Sequence, residues 1–507
     1  MGTPSYDPAA EVVELCRDLI RIDTTNFGDQ PGPGERKAAE LVATLLDEVG
    51  IESELWEAEP GRTNVVARWG GDRGDPLLLH GHLDVVPANA DDWRVHPFSG
   101  EIVDGMVWGR GAVDMKDFDA MLLSTVRARA RAGAVPTRPL VLCFTADEEA
   151  GGSKGAGPLV DRRPDLLEGC REAVGEVGGF STTVRGRRLY LIEAAEKGMA
   201  WMRLTARGRA GHGSMINDDN AVSRLSAAVA RIGAHQWPVR LTPTMEVLLA
   251  TVGELAGTEA TPDNAEALVE EFGDAARMLG AVIRNTANPT MLRAGYKTNV
   301  IPTDAQATVD GRFLPGYEDE FFATLRELAG TEATPENAEV LVEEFGDAAR
   351  MLGAVIRNTA NPTMLRAGYK TNVIPTDAQA TVDGRFLPGY EDEFFATLRE
   401  LAGDGIEFDF ESHQQPWETP YDGDLVDAMT RSLLAEDPDA LVAPYTMSGG
   451  TDAKHFRKLG MRSYGFAPLR LPADLDFTAL FHGVDERVPV DALEFGARVF
   501  DRFLDQV

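Results

Sequence analysis

Residues 77–87 read LLLHGHLDVVP, and this stretch decides the class of fold. Three leucines, His80 and Gly81 lead into His82 and Asp84, which stand two positions apart. A short apolar run bounded by polar and turn residues predicts a buried strand. Because side chains alternate along a strand, we expect His82 and Asp84 to point the same way at its end.

Helical and strand-like patterns alternate outward from this strand. Residues 10–22 and 35–49 carry apolar side chains at intervals of three and four, which predicts two amphipathic helices. Residues 64–68 and 140–144 are apolar runs that end in polar or turn residues, which predicts two further strands. A last helix is expected at residues 490–503. This alternation predicts an α/β fold whose functional residues gather at strand ends.

The pattern changes in the middle of the chain. With 507 residues, the chain is too long for one compact core, so we expect more than one domain. We predict that residues 1–197 and 411–507 build the α/β domain and that residues 198–410 form a small α+β domain inserted into it. With one copy of an internal repeat removed, the insert has the order βαββαβ of a ferredoxin-like fold. Its predicted elements are strands at residues 199–206, within 288–314 and at 406–410, helices at 220–234 and 318–328, and an acidic helical stretch between 234 and 288.

The internal repeat lies within this insert. Residues 254–330 match residues 327–403 at an offset of 73 positions, and the two stretches differ at two places. We call residues 254–326 copy one and residues 327–399 copy two. Repeat proteins are normally built from several divergent units, whereas this near-identical pair stands alone, which indicates a recent tandem duplication. A genuine duplication and an artefact of sequence assembly both stay open. Taking 73 residues from 507 leaves a parental chain of 434.

The composition argues against several classes of function. Lys and Arg number 49 against 82 Asp and Glu, and the formal net charge of −33 argues against binding to nucleic acid or to an anionic membrane. Three widely spaced cysteines exclude a disulfide framework and a cysteine-rich zinc module. The first residues lack the pattern of a signal peptide, and no run of about 18 apolar residues occurs. We therefore expect a cytoplasmic protein.

Acidic side chains follow the predicted strands and glycine-rich turns. Asp114 lies in VWGRGAVDMKD, and Glu148 and Glu149 follow an apolar strand in VLCFTADEEAGG. Neighbouring carboxylates at the end of a buried strand repel each other. This repulsion lowers stability, so such a pair indicates a bound cation or a function that requires it. An acidic pair also suits the first turn of a solvated helix. Taken one at a time, the motifs leave both interpretations open.

Together, the candidate residues favour a metal centre. Imidazole and carboxylate ligands without thiolates suit two zinc ions that share a carboxylate and keep an open position for water. We expect the Asp84 carboxylate to accept a hydrogen bond from one ring nitrogen of His82, which leaves the other nitrogen for a metal. Five candidate ligands each lie in a glycine-flanked turn or next to an apolar run: His82, Asp114, Glu149, Glu176 and His482.

Eight ordered motifs between about residues 12 and 503 carry a family resemblance. They are HGHLDVVP, GRGAVDMKD, TADEEAGG, GEVGG, AEKGMAWMRLTARGRAGHGS, NVIPTDAQATVDGRF, SGGTDAKHF and FHGVDERV. In this order they resemble the zinc-dependent amidohydrolases and exopeptidases, which include aminoacylase, acetylornithine deacetylase, succinyl-diaminopimelate desuccinylase, bacterial glutamate carboxypeptidase and carboxypeptidase S. The C-terminal stretch is most similar to the carboxypeptidase S and N-acyl amino-acid hydrolase branch. The duplication is the one large departure from the family pattern.

The resemblance implies a zinc-exopeptidase-like three-layer catalytic domain that binds two Zn²⁺ ions, for which Co²⁺ or Mn²⁺ can substitute. It implies that His82 and Glu176 hold one ion. Glu149 and His482 hold the other ion, and Asp114 bridges the two.

The same resemblance assigns further roles around the metals. Asp84 orients His82, and Glu148 is the general base that takes a proton from water and passes it to the leaving amine. Family members often have a cis peptide bond after the bridging aspartate, which here is the bond between Asp114 and Met115.

The inserted domain is implied to act as a lid that also dimerises. By resemblance, His212 reaches the active site of a partner subunit and stabilises the oxyanion, so catalysis depends on a homodimer. From its glycine-flanked context alone, His212 is expected to be a solvent-exposed loop residue. An Asn and an Arg in the lid hold the substrate carboxylate, and we favour copy two for this pair because it keeps the parental connection to the last strand. The substrate-binding candidates are Asn299 and Arg312 in copy one, Asn372 and Arg385 in copy two, and Gly449, Gly450 and Thr451 in the GGTD turn.

These expectations together predict a metal-dependent hydrolase that cleaves an amide or terminal peptide bond next to a free carboxylate. The substrate is expected to be a small N-acyl amino acid or a short peptide, so deacylase and carboxypeptidase or dipeptidase activities both stay open. The alternative is a family member that binds zinc but is catalytically silent because the duplication disrupts its lid.

Overall fold

A computed structural model describes the two ends of the chain continuously and the centre in part. The described residues form two compact units. The first unit comprises Met1–Ala194, Thr419–Tyr445 and Thr451–Val507, and the second comprises Ala195–Glu418 and Thr446–Gly450. The described residues are 6–209, 211–212, 224–228, 230, 239–273, 276, 279, 281–283, 286–294, 300–301, 304–313, 361–367, 378–384, 406–414 and 416–507.

Helices and strands alternate along the first unit, which confirms the predicted α/β class. The α-helices of the described residues are α1 (Val12–Ile20), α2 (Arg36–Asp47), α3 (Lys116–Ala132), α4 (Ala156–Arg162), α5 (Pro243–Ala256), α6 (Ala265–Glu270), α7 (Asp424–Glu436), α8 (Ala453–Phe456) and α9 (Val490–Leu504). Short 3₁₀ helices lie at Ala90–Asp92, Glu148–Ala150, Pro164–Leu167, Arg457–Leu459 and Phe477–Ala479. Among the described helices, none combines the length and apolar character needed to cross a bilayer.

The strands of the described residues are numbered in the same way. They are β1 (Ser53–Glu57), β2 (Thr63–Trp69), β3 (Leu77–His82), β4 (Glu101–Val103), β5 (Met106–Trp108), β6 (Leu140–Thr145), β7 (Glu172–Gly175), β8 (Phe180–Val184), β9 (Arg187–Glu196), β10 (Gly198–Arg207), β11 (Gly211–His212), β12 (Thr286–Ala294), β13 (Val300–Ile301), β14 (Asp304–Phe313), β15 (Asn361–Ala367), β16 (Ala378–Gly384), β17 (Ile406–Gln414), β18 (Trp417–Glu418), β19 (Leu441–Met447), β20 (Arg462–Gly465) and β21 (Arg487–Pro489).

The main sheet of the first unit has the strand order β1-β2-β6-β3-β7-β20-β9. Its four central strands, β6, β3, β7 and β20, run parallel to one another. Every residue of β3 is buried, as expected for a parallel strand that is covered on both faces. Because parallel strands end at the same edge of a sheet, the segments that follow β3, β6 and β7 meet there.

Amphipathic helices cover this sheet. α1 and α9 both pack against α3, and α1 also packs against α9. α1 turns one apolar face inward because its apolar residues recur at intervals of three and four. The buried residues of α1 are Val12, Leu15, Cys16, Leu19 and Ile20.

The second unit contains a sheet in which β10 pairs antiparallel with β14, β16 and β17. Ala200 of β10 lies opposite Gly311 of β14 and also opposite Gly384 of β16. Gly384 is the copy-two equivalent of Gly311, 73 positions later. Both copies therefore face the same strand in the same register.

Other predicted elements of the insert have mixed outcomes. β10, β12, β14 and β17 lie at the predicted strands, and residues 224–228 are helical within the predicted helix at 220–234. The predicted helix at 318–328 lies outside the described residues, so the order βαββαβ stays a prediction. α5 and α6 lie between residues 234 and 288, where an acidic helical stretch is predicted; Thr242 caps α5 by accepting a hydrogen bond from the Met245 nitrogen, and Pro243 begins it.

Candidate metal centre

Five polar side chains converge where the central strands of the first unit end. His82 is the last residue of β3, and Glu176 directly follows β7. Glu149 lies in the short helix after β6, Asp114 precedes α3, and His482 precedes β21. Residues far apart in sequence thus meet because parallel strands place their carboxyl ends side by side.

The first group of donor atoms surrounds His82. Its Nε2 atom lies 3.1 Å from Asp114 Oδ1 and 3.2 Å from Glu176 Oε2. The relative exposure of the His82 side chain is 1% and that of Glu176 is 6%, so both are desolvated.

The second group surrounds His482. Its Nε2 atom lies 3.2 Å from Asp114 Oδ2 and 3.0 Å from Glu149 Oε2. Within each group the donor atoms lie within 4.8 Å of one another. The two oxygens of Asp114 therefore face different histidines, which is the arrangement of a carboxylate shared by two sites.

The donor set fits two divalent cations. Imidazole nitrogens and carboxylate oxygens suit zinc and its first-row neighbours. Among the described residues, the Oε1 atom of Glu149 is buried and has no hydrogen-bond partner. A buried carboxylate oxygen without a partner is costly unless a cation compensates it, so the site fits a metal in its chemistry as well as its shape.

The charges of the two histidines follow from these contacts. Burial lowers the pKa of His82, but Glu176 and Asp114 outweigh it and hold the pKa well above its usual value. Hydrogen bonds to Asp114 and then Glu149 raise the pKa of His482 to about 10. Burial, followed by the charge of Asp114, raises the pKa of Glu149 to about 7. Protons and metal ions therefore compete for the same donor atoms.

Comparison with known sequences identifies the family. A profile described as Peptidase family M20/M25/M40 matches residues 78–506. The chain belongs to the peptidase family M20/M25/M40. This confirms the resemblance drawn from the eight motifs, and it makes the protein a hydrolase of the metallopeptidase and aminoacylase type.

Two relatives and one solved structure illustrate what this M20/M25/M40 chain is similar to. N-fatty-acyl-amino acid synthase/hydrolase PM20D1 of Mus musculus is 31% identical over 427 residues, which cover 82% of this chain and 71% of the mouse protein. Aminoacylase-1 of Sus scrofa is 28% identical over 313 residues, or 61% of this chain and 67% of the pig protein. Among solved structures, an M20 family metallo-carboxypeptidase from Sulfolobus solfataricus matches with a TM-score of 0.65 at 16% identity, over 98% of this chain and 99% of that one. At that identity the likeness shows the fold alone.

Glu148 lies beside the candidate metal centre of this M20/M25/M40 chain. Its exposed fraction is 9%, and burial, followed by the charge of Glu176, raises the pKa of its carboxyl well above the usual value. The Nζ atom of Lys454 lies 3.8 Å from Glu148 Oε1 and opposes this rise. Lys454 is not among the predicted site residues, although Lys454 stands in the SGGTDAKHF motif.

Asp84 contacts His82 through its main chain rather than its carboxylate. The Asp84 carbonyl oxygen lies 2.9 Å from His82 Nδ1, whereas the nearest carboxylate oxygen lies 3.7 Å away. The expected side-chain hydrogen bond is therefore wrong. β3 ends at His82, so the alternation of side chains that we used does not extend to Asp84. The carboxylate instead accepts hydrogen bonds from the main-chain nitrogens of Glu148 and Glu149.

The segment around Asp114 is held by residues that the sequence analysis missed. The Asp114–Met115 peptide bond is cis, as the resemblance implied. Glu486 Oε1 accepts hydrogen bonds from the main-chain nitrogens of Val113 and Asp114 at 2.8 and 3.2 Å, and its Oε2 atom lies 2.6 Å from Arg110 Nη1. Arg110 and Glu486 stand in quoted motifs, but only the fold shows that they meet.

The lid candidates are described only in part. Arg312 lies in β14 opposite Met199, and His212 lies in β11 opposite Val300 of copy one. This pairing brings copy one next to His212 along the backbone, and the equivalent residues of copy two, 373 and 374, lie outside the described residues. Thr451 is buried in the first unit, and Gly449 and Gly450 belong to the second. Asn299, Asn372 and Arg385 lie outside the described residues.

Two other histidines of the first unit make structural contacts: His80 is buried and His455 is half-buried. The ring of His80 packs against Phe456 with 4.8 Å between centroids. His455 Nε2 lies 3.0 Å from the carbonyl oxygen of Gly151, in the turn after Glu149. Burial lowers the pKa of both rings to about 3, so they stay neutral at pH 7.

Proposed function

We propose that this chain hydrolyses an amide or terminal peptide bond next to a free carboxylate, in an N-acyl amino acid or a short peptide, with two zinc ions. The observation that carries the proposal is the pair of donor groups that share Asp114, with Glu148 beside them. The names of the mouse and pig relatives, an N-fatty-acyl-amino acid synthase/hydrolase and an aminoacylase, support an acylated amino acid as substrate.

The ligand assignment follows the two groups. His82 and Glu176 would hold one ion, Glu149 and His482 the other, and Asp114 both. When bound, two divalent ions polarise a substrate carbonyl and lower the pKa of an attacking water.

The protein's own groups carry the proton. Glu148 accepts the proton of the attacking water and delivers it to the nitrogen of the leaving amine. Burial raises the pKa of Glu148, which makes it a stronger base than an ordinary carboxylate, and Lys454 at 3.8 Å opposes a complete loss of its charge. Glu148 and Glu149 are adjacent, so a single turn serves base and ligand together.

The insert would supply substrate recognition. A guanidinium binds a carboxylate through two parallel hydrogen bonds, so Arg312 or Arg385 would select substrates with a free carboxylate. His212 would stabilise the oxyanion in the active site of a partner subunit, which requires a homodimer through the second unit.

The test uses the zinc-loaded full chain and a panel of N-acyl amino acids and dipeptides, each paired with its C-terminal carboxamide. We expect hydrolysis of the free acids and a loss on the order of 100-fold for the carboxamides, because a buried charge pair is worth several kcal/mol. Dialysis against a chelator should abolish turnover, and added zinc should restore it.

Two outcomes would contradict the proposal. Equal turnover of acids and carboxamides would exclude carboxylate recognition. Two bound zinc ions without turnover of any substrate would favour the alternative of a silent family member.

A further inference from the structure

A buried network of hydrogen-bonded side chains lies behind the turn that carries Glu148 and Glu149. Asp84 Oδ1 lies 3.0 Å from the main-chain nitrogen of Glu148, and its Oδ2 lies 3.1 Å from that of Glu149. The Asp84 side chain is fully buried. Hydrogen bonds from main-chain N–H groups to an ionised carboxylate are among the strong ones, so Asp84 anchors this turn.

Asn26 joins Asp84 to the residue that begins the same turn. Its side-chain amide donates hydrogen bonds to Asp84 Oδ2 at 2.8 Å and to Asp147 Oδ1 at 3.1 Å. Asp147 directly precedes Glu148 and has a positive φ of 65°, a left-handed conformation that other contacts must hold. One amide group thus holds together two carboxylates that would otherwise repel each other.

Arg62 and Glu35 complete this network of hydrogen-bonded side chains. Arg62 Nη2 donates to Asn26 Oδ1 at 2.8 Å, and Arg62 Nη1 donates to Glu35 Oε1 at 2.5 Å. Because the guanidinium occupies the Asn26 oxygen, the NH₂ end of the amide must face Asp84 and Asp147. Arg62 is 9% exposed and Glu35 is fully buried, so loss of this cation would leave buried carboxylates uncompensated.

We propose that Asn26 and Arg62 are positioning residues, which act through Asp84 to fix the direction of Glu148 and Glu149. The part that concerns proton transfer rests on the proposed hydrolysis, whereas the part that concerns metal binding rests only on the candidate ligand groups. Both residues precede residue 78, where the match to the family profile begins, and neither stands in the motifs that carried the resemblance.

The effect on chemistry follows from the shared turn. Glu149 must point toward His482 while its neighbour Glu148 points elsewhere, so a small rotation of the turn misplaces both carboxylates. Removing a group that orients a metal ligand typically costs 10–100-fold in metal affinity or activity. Asn26 and Arg62 are themselves buried, so their loss should change turnover and metal affinity with little effect on KM.

The test compares Asn26→Ala, Arg62→Met and Arg62→Lys in the full chain. We expect the first two to weaken zinc binding about 10- to 100-fold and to lower kcat by a similar factor, with KM within about threefold. Arg62→Lys keeps the charge and should recover part of both losses. Asn26→Leu nearly keeps the side-chain volume, removes both donors and adds no charge, and it replaces the alanine variant if that variant does not fold. Competition with a chromophoric chelator measures zinc affinity.

Arg127→Met is the matched control. The Arg127 side chain is 4% exposed and pairs with Glu11 and Glu48, both at 2.9 Å. We expect this control to lower Tm as Arg62→Met does, with zinc affinity and kcat unchanged. The proposal is overturned if Asn26→Ala and Arg62→Met lower Tm alone, or if Arg127→Met weakens zinc binding equally. If the native chain binds zinc but hydrolyses no substrate, the proposed function fails, and the zinc affinities still decide this inference.

Discussion

The two units differ in how uniquely their sequences specify strand pairing. In the first unit, Leu77 of β3 faces Leu140 on one side and Glu172 on the other, so each edge has one neighbour. In the second unit, β10 has three partners for two edges: β17 pairs with it, and Ala200 also faces both Gly311 and Gly384, which stand in identical sequence. One edge of a strand can hydrogen-bond a single neighbour at a time, so the two copies are alternatives for one place.

Register is specified where only one hydrophobic pattern fits, and a duplicated pattern removes that discrimination. The candidate metal centre does not depend on this choice, because its five candidate ligands and Glu148 all lie in the first unit and outside the repeat. We therefore expect that unit to keep its metal chemistry whichever copy pairs with β10.

The largest expected effect is a loss of turnover, and it tests the chemistry of the first unit, in which each strand edge has one neighbour. Glu148→Gln keeps the shape of the side chain but removes the base, so turnover should fall by about 10²–10⁴-fold while two zinc ions stay bound. Steady-state kinetics and metal analysis on the same sample check this. Glu101→Gln, at an exposed position, is the control. Turnover that survives the loss of Glu148 would show that another group is the base.

A second variant tests whether the site holds two metals. His482→Ala removes the imidazole that faces Asp114 and Glu149, so zinc content should fall from two ions per chain toward one. Mass spectrometry of the native protein counts the ions. His96→Ala removes an exposed histidine and should leave the content unchanged. An unaltered zinc content in His482→Ala would exclude His482 as a ligand.

Zinc binding should also release protons. The pKa of His82 is held well above its usual value and that of His482 is raised to about 10, so both rings carry a proton at pH 7. Metal ligation needs neutral imidazoles and an ionised Glu149, whose pKa of about 7 leaves it partly protonated, so about two to three protons should leave on saturation, fewer as the pH approaches 10. Calorimetry in buffers of different ionisation enthalpy measures the number. A binding enthalpy that is independent of the buffer would refute this charge assignment.

The smallest expected effect concerns the repeat itself. Deleting residues 254–326 or 327–399 gives two chains that differ only at the two places where the copies differ. Because neither deletion touches the first unit, both should keep zinc content and unfold within a few degrees of the full chain. Differential scanning calorimetry checks this. Collapse of the first unit in either deletion would mean that both copies support it.

Local patterns predicted the α/β class, and the same patterns with the family motifs singled out the five side chains that the structure brings together as the candidate metal centre. Short apolar runs that end in His82 or lead into Glu149 identify strand ends, and parallel strands bring such ends together. The contact of Asp84 was predicted wrongly because it lies beyond the strand. Asn26 and Arg62 escaped notice because only the tertiary fold brings them to the Glu148 turn.

The most direct test of the central claim is the zinc content of the full chain and of the two single-copy deletions, measured by native mass spectrometry at a buffered free-zinc concentration. Our account predicts two ions per chain in all three proteins, because every candidate ligand lies in the first unit. No bound zinc in the full chain, or a content that depends on which copy is deleted, would contradict it.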